Sequence, residues 1–402
     1  VGEILFSSDA EALAPSPIRR FASLLNDPDV ISFAGGVPNP ETFPAEALAL
    51  AAAEAVRGHG PVSLQYGPTA GLPALRERIA GMLSAAGIPA EAGGVFLTTG
   101  SQQALALLSQ VLLDPGDVVA TEEPAYVGAL AAFRSRRPKL LAIARDAGRI
   151  DVSRLTSQVE AVRRGGGRVK FLYTVPNFQN PSGWTLSAEA RGELLEAASR
   201  LDLLILEDDP YGEVYFGLPP PRSLAAMDTG GRVVYLGTFS KTLAAGLRCG
   251  FLIGPAALLA KVELAKQSAD LCSSSLDQFT IELYFRHNDF AAHLTRVRAF
   301  YAAQKQVLLA AIRRYFPSCV DVSDPAGGLF CWARLPEGAD ASRLLETVLE
   351  KERVAFIPGA SFFLRDDAEA RRHFRLTFAK ETPGRLEEGA KRLGGFLREE
   401  RF

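Results

Sequence analysis

The chain predicts an α/β fold, with a large domain on a doubly wound, mostly parallel sheet and a smaller α+β domain beside it. Three observations carry this expectation. From about residue 95 to 255, apolar strand-like runs alternate with amphipathic helical stretches, as in a sheet covered on both faces. Several of these runs end in polar clusters, where open α/β sheets place their ligands. From residue 279 onward the pattern changes to a long helical stretch and then to short alternating strands. The 402 residues exceed the usual size of one core, and 48% hydrophobic residues suffice for two. The expected division is an N-terminal arm with part of the small domain over 1–45, the large domain over 46–290, and the small domain over 291–402.

Near the start, Ser16-Pro17-Ile18-Arg19 precedes a short strand over 30–34 that runs into Gly35-Gly36. A glycine pair after a strand suits a backbone that passes close to something, or an ordinary tight turn. Residues 46–57 read as a helix. The turn-rich loop 64–71 holds Tyr66, and a helix follows over about 72–86. Residues 95–99 form a strand that enters Gly100-Ser101-Gln102 and a helix. Ser101 suits an N-cap, and the open N–H groups of that first turn attract an anion; a plain capped helix would look the same. The next strand, over 117–121, leads to Tyr126. Another, over 170–176, leads to Asn177-Phe178-Gln179-Asn180-Pro181-Ser182-Gly183. The apolar run 201–206 ends in Glu207, Asp208 and Asp209, with Tyr211 just beyond. Carboxylates at the end of a buried strand are costly unless they have partners. Residues 233–237 run into Thr238, Ser240, Lys241 and Thr242, then Arg248 and a further strand over 250–254. Short strands over 327–335, 354–359 and 373–378 and a final helix over 382–399 complete the chain.

Composition narrows the function. A net charge of −2 argues against nucleic acid as a partner. The four cysteines lie far apart in no metal-ligand pattern, and read as reduced, small hydrophobes of a cytosolic protein. No metal is expected. The first residues lack a basic region followed by an apolar one, and no apolar run is long enough to span a bilayer. A cytoplasmic enzyme with small-molecule partners and no membrane is therefore expected.

The chemistry centres on Lys241. Burial lowers a lysine's pKa and makes it nucleophilic. Hydroxyls from Thr238, Ser240 and Thr242 with the Arg248 guanidinium would make a site for a dianion. A nucleophilic lysine beside such a site suits imine formation with a phosphorylated aldehyde, pyridoxal 5′-phosphate. The bland alternative is a surface lysine at a strand end.

Taken in sequence, Gly100-Ser101-Gln102, Asn180-Pro181-Ser182-Gly183, Asp208-Asp209-Pro210-Tyr211 and Ser240-Lys241 with Arg248 resemble the cofactor site of fold-type I pyridoxal-phosphate enzymes. Within these, the chain is similar to class I/II aminotransferases from Phe33 to Phe378. The resemblance implies a role for each residue. Lys241 would carry the cofactor as an imine and, once released, move the substrate's Cα proton. Asp208 would face the ring nitrogen, with Asp209 the second candidate. Asn180 and Tyr211 would bond the ring's phenolic oxygen, and Tyr126 would stack on its face. Ser101, Gln102, Thr238, Ser240 and Arg248 would hold the phosphate. Tyr66 matches a tyrosine that reaches the neighbouring subunit's phosphate, which implies a homodimer. Arg375 would clamp the substrate α-carboxylate, since its planar fork makes two parallel bonds. Asn180 and the Gly36 backbone would lie beside the substrate.

The N-terminal motifs resemble the branch that includes 2-aminoadipate, kynurenine and aromatic aminotransferases. There Arg19 matches an arginine that reads a distal carboxylate, although exposed arginines are usually just solvated. The implied reaction passes an amino group from glutamate, 2-aminoadipate, leucine or an aromatic amino acid to a 2-oxo acid such as 2-oxoglutarate, by ping-pong kinetics. The alternatives are another reaction of the same cofactor, such as C–S lysis, decarboxylation or a specialised biosynthetic step, and the aminotransferase-like domain of a transcription regulator. About thirty residues before Ile31 are few for a DNA-binding domain. A non-catalytic protein on the same fold is a third alternative.

Overall fold

The computed structural model of the chain describes residues 4–11 and 27–400. Its strands are β1 (Ile31–Ser32), β2 (Val95–Thr99), β3 (Val118–Glu123), β4 (Lys139–Asp146), β5 (Arg149–Ile150), β6 (Val169–Thr174), β7 (Leu204–Asp208), β8 (Val233–Thr238), β9 (Cys249–Ile253), β10 (Asp321–Val322), β11 (Phe330–Arg334), β12 (Val354–Ala355), β13 (Ile357–Pro358) and β14 (His373–Thr377). Eight of them form one sheet in the order β2-β9-β8-β7-β6-β3-β4-β5. From β8 through β7, β6 and β3 to β4 every pairing is parallel. β9 is antiparallel to both neighbours, and β5 is antiparallel to β4.

These strands are apolar at nearly every position because helices cover both faces. Ile205, Leu172 and Val233 face one way, into a core shared with Leu155, Val159, Leu194 and Ala198 of the helices Val152–Arg164 and Ala188–Arg200. Leu206, Tyr173, Phe171 and Val234 face the other way, toward the helices Ser101–Leu112 and Val127–Arg134. The alternation follows from the two-residue period of a strand. Each such fully buried aliphatic side chain contributes about 1.5–3 kcal/mol. The chain progresses outward from β3 to β4 on one side and from β6 to β9 on the other. The sheet's switch point therefore lies between β3 and β6, at the edge where ligands bind.

A second sheet, β10-β11-β14-β13, is antiparallel throughout. The helix Phe290–Tyr315 packs on the last helix, Pro383–Glu399. The N-terminal strand joins this part of the molecule, since β1 pairs in parallel with β12. Ser32 N donates to Glu381 Oε1 (3.0 Å), and Thr377 N donates to Phe33 O (2.9 Å). These bonds lead the following residues, including Gly36, onto the carboxyl edge of the large sheet.

Two expectations need correction. The helix expected over 46–57 runs from Ala45 to Ser63, through Gly58, Gly60 and Pro61. Its buried Ala51 and Ala55 line a face that packs along the helix Ser275–His287, and that contact overrides the weak local propensity. Not all cysteines are buried hydrophobes: Cys249 and Cys331 are buried, Cys272 is half-buried and Cys319 is exposed, and all are free thiols. Among the described residues, no helix is long and apolar enough to cross a membrane and no side-chain cluster could hold a metal.

Candidate active site

β2, β3, β6, β7 and β8 all end at one edge of the sheet. The reversed strand β9 starts there, so Arg248, just before it, meets residues that follow the other strands. Two glycines make the junction possible. Gly100 has φ +75°, and a Cβ on it would lie 2.4 Å from Arg248 Nη2. A Cβ on Gly250 would lie 2.5 Å from both Gly100 C and Ser101 N, so β9 passes directly under the helix start. Gly100 also occupies the N-cap position, which corrects the assignment of that role to Ser101. Ser101 is the first helical residue and no side chain caps the helix. Instead Gln103 Oε1 accepts from Thr99 N at 2.7 Å.

Around this edge lies a cavity of about 360 Å³, lined by Gly36, Ser101, Gln102, Tyr126, Asn180, Asp208, Tyr211, Thr238, Ser240, Lys241, Arg248 and Arg375. Two expected residues are not among them. Tyr66 is 78% exposed and lines a separate groove with Gly67, Pro68, Ser275 and Phe279. Arg19 lies outside the described residues. Thr242, the third hydroxyl near Lys241, lines a different cavity together with Asp209.

The three consecutive carboxylates have different surroundings. Glu207 accepts from Leu224 N (2.9 Å) and Ala225 N (2.8 Å), and burial pushes its pKa up to about 7. Asp209 accepts from Gly212 N (2.9 Å) and the Tyr235 hydroxyl (3.2 Å), away from the central cavity. Among the described residues Asp208 takes one bond, from the Tyr173 hydroxyl to Oδ2 at 2.8 Å. Its Oδ1 is buried and has no partner among the described residues. Burial pushes Asp208 up to about 7, and the Tyr173 bond works against that rise.

Lys241 Nζ donates to Gly36 O at 2.9 Å. Burial, then repulsion from Arg375 and Arg248, lowers its pKa to about 8. Beside it, Ser240 N donates to Thr238 Oγ1 (3.2 Å), and the two hydroxyls lie 2.9 Å apart. The Gln102 amide donates to Gly128 O (2.8 Å), with its oxygen 3.4 Å from the Tyr126 hydroxyl. Arg375, on β14, is 1% exposed. Its Nη1 donates to Asn180 Oδ1 and its Nη2 to Ala34 O, both at 2.6 Å. Its Nε has no partner among the described residues, and burial lowers its pKa to about 10.

Sequence reasoning missed several supports. Tyr173 reads as one more apolar strand residue. Phe330 and Phe362 flank the Arg375 guanidinium, 4.2 Å and 5.2 Å from their ring centroids. Glu122 and Arg145 form a fully buried ion pair, and Glu122 also accepts from Thr174 Oγ1 and Val175 N (both 2.8 Å). Arg145 in turn donates to Trp184 O (2.9 Å), which ties both ends of the loop that carries Asn180. The only hint of that pair was charge inside otherwise apolar strands.

An unpartnered buried carboxylate oxygen calls for a donor, and a buried guanidinium with an idle Nε and no carboxylate partner among the described residues calls for an anion. A helix start and a second arginine add another anion site. A pyridine N–H, a phosphate and an amino-acid carboxylate fit these three needs, so the residues suit pyridoxal 5′-phosphate with an amino acid. Comparison with known proteins agrees. Residues 28–393 match the family model for aminotransferase class I and II. The chain is 38% identical over 399 residues to an aromatic-amino-acid aminotransferase 1 from Thermococcus litoralis, covering 99% of this chain and 95% of that one. The crystal structure of a Pyrococcus horikoshii kynurenine aminotransferase, in complex with PMP, superposes with a TM-score of 0.92 at 37% identity, covering 98% and 97%. An α-aminoadipate aminotransferase from Thermus thermophilus, complexed with N-(5′-phosphopyridoxyl)-L-leucine, superposes at 0.89 with 38% identity and the same coverage. The chain thus belongs to the class I and II aminotransferases, and its cofactor is pyridoxal 5′-phosphate.

Proposed function

We propose that the protein moves the amino group of glutamate, 2-aminoadipate, leucine or an aromatic amino acid to a 2-oxo acid such as 2-oxoglutarate. The observation that carries this reading is Arg375, a buried guanidinium with an unpartnered Nε, facing the same cavity as Lys241. Among the described residues no carboxylate pairs with it, so a substrate carboxylate can. The Thermococcus relative is named for aromatic amino acids, and the Thermus structure holds a leucine adduct. Both support a broad donor range.

The residues divide the work. Arg375 and Asn180 hold the α-carboxylate, with the Gly36 backbone alongside, and so fix the Cα–H direction. When bound, the cofactor supplies an electron sink for charge that develops at Cα. Asp208 keeps its ring nitrogen protonated. Asn180 and Tyr211 hold the phenolic oxygen, and Tyr126 covers the ring face. Ser101, Gln102, Thr238, Ser240 and Arg248 hold the phosphate. Lys241 would hold the cofactor at rest. Released, its amine takes the proton from Cα, and its lowered pKa keeps a useful fraction neutral near pH 7.

Tyr66, exposed in a single chain, suits a homodimer in which it reaches the partner's phosphate. The proposed division is 1–45, 46–290 and 291–402, and the absence of a long apolar helix among the described residues is compatible with a cytoplasmic setting. Glutamate alone, added to the cofactor-loaded protein, should release one 2-oxoglutarate per site and abolish the visible absorbance of the lysine-bound cofactor. No release would favour C–S lysis or decarboxylation instead. Arg19→Ala should weaken acidic donors and spare leucine, and an equal loss for both would reject its side-chain role.

A further inference from the structure

Asp208 has an anchor that lies outside the cavity. The Tyr173 ring is fully buried on β6, and its hydroxyl bonds Asp208 Oδ2 at 2.8 Å, its one hydrogen bond among the described residues. The ring cannot swing away, because it stands edge-on to Phe133, with centroids 5.4 Å apart at 74°. We propose that Tyr173 is a positioning residue for the transamination: it pins one oxygen of Asp208 so that the other faces the cofactor's ring nitrogen in a fixed direction.

Three observations support this. An aspartate's last torsion is broad, so a carboxylate with one anchored oxygen is far better directed than a free one. The unanchored Oδ1 is the buried, unpartnered atom, on a residue that lines the cavity. Packing alone does not call for the hydroxyl. Phe171, two residues earlier on the same strand face, makes a similar edge contact with Phe133 without one. The hydroxyl also stays a donor, since burial and the Asp208 charge push its pKa well above the ordinary tyrosine value. As a donor it favours the ionised carboxylate, against burial and the nearby Asp209 and Glu122 charges.

The inference rests on Asp208 holding the ring nitrogen, so both residues are varied together in the full-length protein. Cofactor-free protein is titrated with pyridoxal 5′-phosphate and binding is read by absorbance. Tyr173→Phe should weaken cofactor binding about tenfold, the size of one lost charge-assisted hydrogen bond. It should lower kcat by about ten- to a hundredfold and leave the amino-acid KM within about twofold. In an Asp208→Ala background the same change should alter cofactor binding less than about twofold, because its target is gone. Equal weakening in both backgrounds would make Tyr173 merely structural and overturn the proposal, as would native binding and kcat in Tyr173→Phe. Unchanged cofactor binding in Asp208→Ala would remove the assigned role of Asp208, and this inference with it. If Tyr173→Phe folds poorly, kcat per bound cofactor decides: a positioning role keeps the loss at every loaded site, and a structural role does not.

Discussion

Two arginines are entirely enclosed, yet they serve different ends. Arg191, beneath the sheet, has every nitrogen engaged. Its Nε donates to Leu186 O (3.1 Å), Nη1 to Pro221 O (3.2 Å) and Arg222 O (3.1 Å), and Nη2 to Pro176 O and Asn177 Oδ1. It fastens the strand-end loop before Asn180 to the loop before Leu224. Arg375, on the small sheet, bonds one carbonyl and one amide oxygen, keeps an idle Nε and lines the cavity. Burial is the same in both. Arg375 differs from Arg191 in having a donor left over, and from Arg145, whose Nε is also idle, in having no carboxylate partner among the described residues.

That contrast can be broken by experiment. Arg375→Ala should lower kcat/KM for every amino acid by about a hundred- to a thousandfold, mostly through KM, because two charge-assisted bonds to the substrate are lost. A native KM would move the carboxylate clamp elsewhere. Arg191→Ala should instead cost about 3 kcal/mol or more of stability, seen as a lower Tm, because five acceptors, three of them buried, lose their donor. The surviving folded enzyme should keep its KM, and a raised KM would erase the distinction.

The same reasoning applies to the lysine and the aspartate that line the same cavity. With Lys241 at about 8, the rate at which cofactor-free protein recombines with cofactor should rise about tenfold from pH 7 and level off above pH 8, where the amine is neutral. A rate still climbing at pH 10 would mean an ordinary lysine. For Asp208, the folded pKa of about 7 lies above the ordinary value of 3.8. The folded state thus binds its proton more tightly, and this group's contribution to stability falls as pH rises from about 4 to about 7. Asp208→Asn should therefore raise the Tm of cofactor-free protein by a few degrees at pH 8, and by less at pH 5. A lower Tm at pH 8 would reveal a partner for Oδ1.

The layout of the cavity was legible because its residues sit where apolar runs stop: Ser101, Asn180, Asp208 and Lys241 each lie at the end of a strand or a few residues past it. Strand direction was not legible. Nothing in residues 250–254 announces that β9 runs backward. Among the carboxylates, the sequence alone could rank Asp208 above Asp209 only through resemblance. The structure separates them by strand alternation, since adjacent residues point to opposite faces. Thr242 lies in the turn after β8 and lines a different cavity from Lys241. Tyr173 was invisible because a tyrosine inside a buried strand reads as core, and its partner lies thirty-five residues further on. Ser101 was misread because a positive φ at Gly100 shifted the helix start by one position.

The backward course of β9 constrains how the chain can vary. Lys241 lies three residues past the end of β8 and Arg248 immediately precedes β9, so the six residues between them bridge two fixed anchors. Lengthening or shortening that bridge would pull the amine and the guanidinium apart. Turns at the far rim, such as the glycine run at 165–167, carry no such tether and are free to gain or lose residues.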